Sequence, residues 1–294
     1  MKIAAFLSVL VMLAASGALA ATRPNIVVEG VQMPAWVERA SGARDALALG
    51  MTLTNKDRVI TGPGSRALLR FADGSLIKLG ENGILALDDL GQRKIQMKDV
   101  VTASLDVLSG AFRFTTQALY KYRGERDVKV RLVTITIGIR GTDFWGKADK
   151  TRDIACLIEG KVAVTRGQDA LTLDTPMSFY IAPRDQPAEP VGLVSNEQFA
   201  AWAQETEIAN GAGALRKGGR WRVYLAEASD QYAALKLYDQ LRNAGYAAQI
   251  RPVTTEAGTH YRVRISNFAS KQEAEALGAR LKGQLGITEP KASL

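Results

Sequence analysis

The chain has 294 residues, 47% of them hydrophobic, with a formal net charge of +8 at pH 7 and a pI near 9.6. That length suits two ordinary domains, and the apolar content excludes wholesale disorder. One histidine and one cysteine exclude a multi-histidine metal centre, a cysteine-based zinc site and an intramolecular disulfide.

The first twenty residues, "MKIAAFLSVLVMLAASGALA", join one lysine to an apolar run that ends on Ala18 and Ala20. This is the pattern of a secretory signal, with cleavage expected after Ala20 and export to a bacterial periplasm. No later run is long and apolar enough for a membrane span. The basic balance fits solubility, or an acidic partner such as nucleic acid, anionic lipid or an acidic polymer. Export argues against nucleic acid.

From residue 26 to about 182 the pattern is strand after strand. In "SRALLRFADGSLIKLGENGILAL", Ala67, Leu69 and Phe71 alternate with Arg66 and Arg70, and Ile77 and Leu79 flank Lys78 across an Asp-Gly turn. This is a hairpin signal, because glycine supplies the positive φ of such a turn. "VRLVTITIGIRG" reads as a further strand, with Val133, Ile135 and Ile137 on one face and Thr134 and Thr136 on the other. Cys156 falls in the apolar run "DIACLIEG", which suits a buried, inert thiol. Residues 21–182 are therefore expected to form an all-β domain.

Residues 183–218 read as a proline-rich linker carrying one short helix, with Ser195 as N-cap, Phe199, Trp202 and Ile208 apolar, and Gly211 past its end. "GALRKGG" suggests a flexible basic joint and two modules that behave separately.

Residues 219–294 contain a repeat. "WRVYL" (221–225) returns 40 residues later as "YRVRI" (261–265), and each copy runs on into a helical pattern. Ala234, Leu237, Tyr238 and Leu241 make the first stripe, closed by Gly245; Ala274, Leu277 and Leu281 make the second, with Ser270 and Glu273 in a capping-box pattern. With the strands between and a weak last strand near "ITEPKASL", the order is β-α-β-β-α-β, a small α+β ferredoxin-like domain with both helices on one side of the sheet. Alternation points Trp221, Val223 and Leu225 toward the helices and Arg222, Tyr224 and Ala226 outward; likewise Tyr261, Val263 and Ile265 point in while His260, Arg262 and Arg264 point out. Arginine and aromatic groups gathered on such a face suit either a solvated surface or a binding surface.

The stretch "WRVYLAEASDQYAALKLYDQLRNAGYAAQI…HYRVRISNFASKQEAEALGARLK" resembles the SPOR domain, a bacterial module that binds peptidoglycan glycan strands stripped of stem peptides. Where that family reads W-x-V-Q-x-G-S-F this chain has Tyr224 for the glutamine, Ala226 for the glycine and Glu227 for the serine, and in the second half Arg262 is kept. The resemblance implies a glycan-binding face of Arg222, Tyr224, Glu227, His260, Arg262 and Arg264. Removing a stem peptide frees a lactyl carboxylate, which arginine pairs through parallel hydrogen bonds. Upstream, "GMTLTNKDRVITGPGSRALLRFADGSLIKLGENG", "IRGTDFWG" and "IACLIEGKVAVTRG" resemble a FecR-type periplasmic domain, which implies contact with an envelope protein partner. In "RGTD", Gly141 suits a tight turn and Arg140 is placed to pair with Asp143. "YKYRGERDVKVR" is a basic run that suits a docking patch or a solvated loop.

No P-loop or dinucleotide fingerprint is present, His260 is the one candidate base for a histidine-containing triad, and no spacing points to a catalytic site. The expectation is a non-catalytic envelope protein, without cofactor or metal, whose C-terminal module binds peptidoglycan while the β domain engages a partner or provides a scaffold. The alternative is a sensory or regulatory adaptor in which both modules bind proteins.

Overall fold

The computed structural model describes residues 26–71, 73–95, 98–117, 126–139, 141–256 and 258–294, with the backbone alone for 92–95, 98–99 and 126. The expected signal segment, the first half of the basic run 120–131, and Arg140 lie outside the described residues. The described residues hold many strands and three helices, so β structure dominates.

The upstream domain is built of two sheets that share the 18-residue strand Lys98–Thr115. One sheet runs through Arg44–Ala46, Ala35–Glu38, Arg58–Thr61, Ile84–Ile95, the shared strand, Arg126–Arg131, Thr136–Ile139, Val162–Arg166 and Asp169–Leu173. The other runs through Gly192–Leu193, Ser178–Pro183, Arg152–Glu159, Asp143–Ala148, the shared strand, Leu76–Leu79, Arg66–Phe71 and Ile26–Gln32. Buried side chains from both sheets, among them Leu69, Ile77, Phe112, Phe114, Phe144, Val130 and Ile137, meet in one apolar core. The hairpin expected at the Asp-Gly turn forms with Leu69 opposite Ile77, and Ala67, Leu69, Phe71, Ile77 and Leu79 are all buried.

One local reading changes. "VRLVTITIGI" is two strands, not one: Leu132 N–H donates to Ile135 O, Arg131 pairs with Thr136, and Val133 sits at the turn, 53% exposed. The Asp153 carboxylate holds this turn, accepting from the Thr134 amide and hydroxyl at 2.5 and 2.7 Å. In "RGTD", Asp143 pairs with Arg113, thirty positions upstream, through two bonds of 2.8 and 2.7 Å, while the pairing expected of Arg140 falls outside the described residues. Gly141 does turn with φ +71, and Thr142 exchanges hydrogen bonds with Thr116 at 3.2 and 3.0 Å. The described end of the basic run is used within the fold, since Arg131 pairs with Asp106 and Asp88. Cys156 is fully buried, and burial pushes its thiol up to about 12.

The segment expected to be a linker is anchored at several points. The helix Asn196–Gln204, capped by Ser195 as its sequence indicates, lies on the back of the upstream domain. Trp202 stacks on the buried Trp145 with centroids 4.8 Å apart, and Phe179 meets Trp202 edge-on. Glu205 and Glu207, just past the helix, pair with Lys147, Lys78 and Arg113.

The joint "GALRKGG" is not free either. Its strand Ala214–Arg216 pairs with Gly30–Gln32 on one side and, through Leu215 opposite Phe268, with the repeat module on the other. One hydrogen-bonded sheet therefore passes from the upstream domain into the C-terminal one. The contact is reinforced on the helix side. Arg242 reaches Asp45 at 2.7 Å, Trp36 Nε1 donates to Asn243 O at 3.0 Å, and Ala35 N–H donates to Gly245 O at 3.0 Å. Gly245 has φ +83, and a Cβ there would lie 2.7 Å from the Trp36 ring, so the helix exit needs glycine on both counts. Glu273 leaves its capping-box role incomplete. Ser270 Oγ accepts from its amide at 3.3 Å, but its own carboxylate accepts from Gly211, Gly213 and Ala214 amides at 2.6, 2.7 and 3.0 Å. The two modules are thus docked, not independent.

The C-terminal module is α+β. Its elements are strand Trp221–Ala228, helix Gln231–Asn243, strands Gln249–Thr255 and Gly258–Phe268, helix Lys271–Leu281 and strand Lys291–Ser293. Trp221–Ala228 lies between Lys291–Ser293 and Gly258–Phe268, and Gln249–Thr255 takes the far edge; all pairs are antiparallel. Ala234, Leu241, Ala274, Leu277 and Leu281 bury the helix stripes against Val223, Leu225, Val263 and Ile265.

Candidate ligand-binding face

Side chains of directly paired residues in an antiparallel sheet point to the same side. With Val223, Val263 and Ile265 buried under the helices, the pairing register lays out the opposite face in rows. The first is Ser293, Arg222, Ser266. The second is Lys291, Tyr224, Arg264, Gln249. The third is Glu227, Arg262, Arg251, and the fourth pairs His260 with Val253.

All six residues singled out from the sequence therefore share this face. Ala226, expected beside them, does not. A bulge between Tyr224 and Ala226 adds Leu225 to the strand, so Ala226 falls opposite the buried Val263. The same shift turns Glu227 outward, where strict alternation has it pointing in. Arg251, Gln249 and Lys291 were missed. Alternation within "QIRPV" carries a signal for the first two, whereas the three-residue strand around Lys291 carries almost none.

The electrostatics are one-sided. Five cations, Arg222, Arg251, Arg262, Arg264 and Lys291, face one acid. Glu227 Oε2 accepts from Arg262 Nε at 2.8 Å, and its Oε1 lies 3.1 Å from His260 Nε2. The hydrogen bond from Arg262 holds the Glu227 carboxyl below the usual carboxylate range, with the charges of Arg262, His260 and Lys291 acting in the same direction. The Arg262 guanidinium also sits over the Tyr224 ring, 5.6 Å from its centroid. Burial opposes ionisation of the Tyr224 phenol, but the hydrogen bonds and charges of Arg222 and Arg264 outweigh it and hold the phenol below its ordinary value. Chemically, this is a flat cationic surface with one aromatic plate at its centre, suited to an extended anionic ligand with apolar ring faces.

Among the described residues no group of three or more His, Cys, Asp and Glu side chains is placed to hold a metal ion, and no helix is long and apolar enough to cross a membrane.

Comparison with known families matches the SPOR domain to residues 217–290 and the FecR protein family to residues 57–163. No curated protein matches the chain. Among solved structures, two crystal structures of a proposed anti-sigma factor from Parabacteroides distasonis ATCC 8503 are similar at 14% and 15% identity. They cover 78% and 76% of this chain and 92% and 89% of their own, with TM-scores of 0.40 and 0.39, a likeness that carries no argument here.

Proposed function

We infer, for a chain that carries a FecR domain followed by a SPOR domain, a non-catalytic role in binding peptidoglycan at the cell envelope. SPOR domains bind peptidoglycan, and both families are typical of envelope proteins. The finer reading is that the chain is exported to the periplasm, loses residues 1–20, and holds glycan strands denuded of stem peptides. In this reading the α+β module is ferredoxin-like, with both helices on one side of the sheet and the other face open. The ligand lies on that face, against Arg222, Tyr224, Glu227, His260, Arg262 and Arg264. The FecR domain engages an envelope protein partner or serves as the scaffold.

The observation that supports this reading is the cationic face around Tyr224. Lactyl carboxylates freed by an amidase are the anions it matches, and each exposed arginine–carboxylate pair contributes little, about 0–1 kcal/mol. Binding is therefore modest per sugar and falls with salt. The test is co-sedimentation of the full chain with purified sacculi, before and after amidase treatment. Retention that rises with amidase treatment and falls in 0.5 M salt, where the screening length is about 4 Å, is the expected result. Absence of retention under every condition returns the chain to the adaptor reading, in which both modules bind proteins.

A further inference from the structure

We infer that the open face is divided, with Glu227 neutralising the Arg262–His260 end, so that a carbohydrate carboxylate is bound at the other end by Arg222, Arg264 and Lys291 around Tyr224. This deepens the peptidoglycan reading above and rests on it for the identity of the polymer.

Glu227 already occupies the position a ligand carboxylate would take at Arg262. One oxygen accepts from Arg262 Nε at 2.8 Å and the other faces His260 Nε2 at 3.1 Å. An incoming anion at that end meets a carboxylate 52% exposed, and has to displace it or suffer its repulsion. The other end has no such internal anion. Among the described residues no carboxylate lies within ion-pair distance of Arg222, Arg264 or Lys291, and Arg264 Nε has no hydrogen-bond partner. Lys291 and Arg264 flank Tyr224 on the two neighbouring strands, and Arg222 precedes it on its own strand and face.

Tyr224 completes the site, with the charges of Arg222 and Arg264 acting on its phenol. Two guanidiniums and an ammonium around one aromatic ring make a site for a carboxylate carried on a sugar, with the sugar's ring face against the plate. Glu227 then acts as a specificity residue: it confines the ligand's charge to one end and sets the spacing of anions that the face tolerates.

The experiment measures Kd of the full chain for sacculi, intact and amidase-treated, and for polygalacturonate, a carboxylated polysaccharide unrelated to peptidoglycan. Arg222→Ala, Arg264→Ala and Lys291→Ala are each expected to weaken binding about fivefold. Glu227→Gln, which keeps the shape and removes the charge, is expected to tighten binding about fivefold by releasing Arg262. Adding Arg262→Ala to Glu227→Gln is expected to remove that gain, the signature of coupling between the two. Preference for amidase-treated over intact sacculi assigns the carboxylate to the sugar, and the reverse assigns it to the stem peptide. Binding of polygalacturonate alone, with the same variant pattern, keeps the divided face and overturns the peptidoglycan reading. Binding of neither polymer overturns both. The division itself is overturned if Glu227→Gln gives no gain, or if the three cation variants bind as the wild type does.

Discussion

Replacing Glu273 by alanine tests the docking of the two modules directly. Its carboxylate is 8% exposed and accepts three amides, from Gly211, Gly213 and Ala214 at 2.6, 2.7 and 3.0 Å. Hydrogen bonds to a charged group contribute about 1.5–3 kcal/mol each, and donors left buried and unpaired cost a similar amount. The three are not additive, because water reaches part of the joint once the side chain is gone. A loss of about 3–5 kcal/mol is the expected sum. For a chain of this size unfolding as a unit, that lowers Tm by on the order of 10 °C. Glu273→Gln retains one acceptor oxygen and falls between the two. The second assay is limited trypsin digestion, since Arg216, Lys217 and Arg220 lie in the joint. In the wild type the Arg216 site is protected by the pairing of Ala214–Arg216, and in Glu273→Ala cleavage after Arg216 precedes cleavage elsewhere. The reasoning is refuted if the wild type is cut at the joint as fast as the variant, or if the variant loses less than about 0.5 kcal/mol, the range of an ordinary surface substitution.

Trp202→Ala removes a half-buried ring that stacks on Trp145 and meets Phe179, and is expected to cost about 2–3 kcal/mol in a denaturant melt and to expose the helix Asn196–Gln204 to proteolysis. Cys156, with its thiol raised to about 12 by burial, is expected to resist iodoacetamide at pH 8 until denaturant unfolds the domain, as followed by mass spectrometry. The Glu227 carboxyl is expected to titrate below the usual carboxylate range by NMR, and Arg262→Ala to move it back up. Its depressed value makes the Glu227–Arg262 pair fully formed above the unfolded-state value and lost as pH falls through the folded one, so acid frees Arg262 toward anionic ligands.

What the sequence discloses and what it hides follow from the range of the interactions. Period-2 alternation and the Asp-Gly turn are local, and the hairpin Arg66–Leu79 forms as they indicate. So do the helix stripes, the Ser195 and Ser270 caps and the β-α-β-β-α-β order. The extra residue at Leu225 is invisible to alternation, because a bulge is defined by the partner strand and not by its own sequence. Val133 continues an apolar alternation perfectly well, yet a carboxylate on another strand, Asp153, holds a turn there. Asp143 finds Arg113, thirty residues upstream, and Glu273 finds amides some sixty residues upstream. The strand Ala214–Arg216 is the extreme case. Three residues among glycines and basic side chains have no strand signature of their own, and they become a strand because two existing edges need a partner.

That strand also sets how the protein bears load. A wall polymer that pulls on the repeat module pulls on the upstream domain through backbone rungs, not through a slack tether. The upstream side holds three residue pairs, Gly30–Arg216, Val31–Leu215 and Gln32–Ala214, whereas the module side holds one, Leu215–Phe268. Tension therefore falls on that single rung together with the Glu273 clasp, the Arg242–Asp45 pair and the bonds from Ala35 and Trp36 to the helix exit. Once these give way, the module parts from the upstream domain with both folds intact, the strand Ala214–Arg216 stays on its three upstream rungs, and the four residues from Lys217 to Arg220 become a leash of at most about 14 Å.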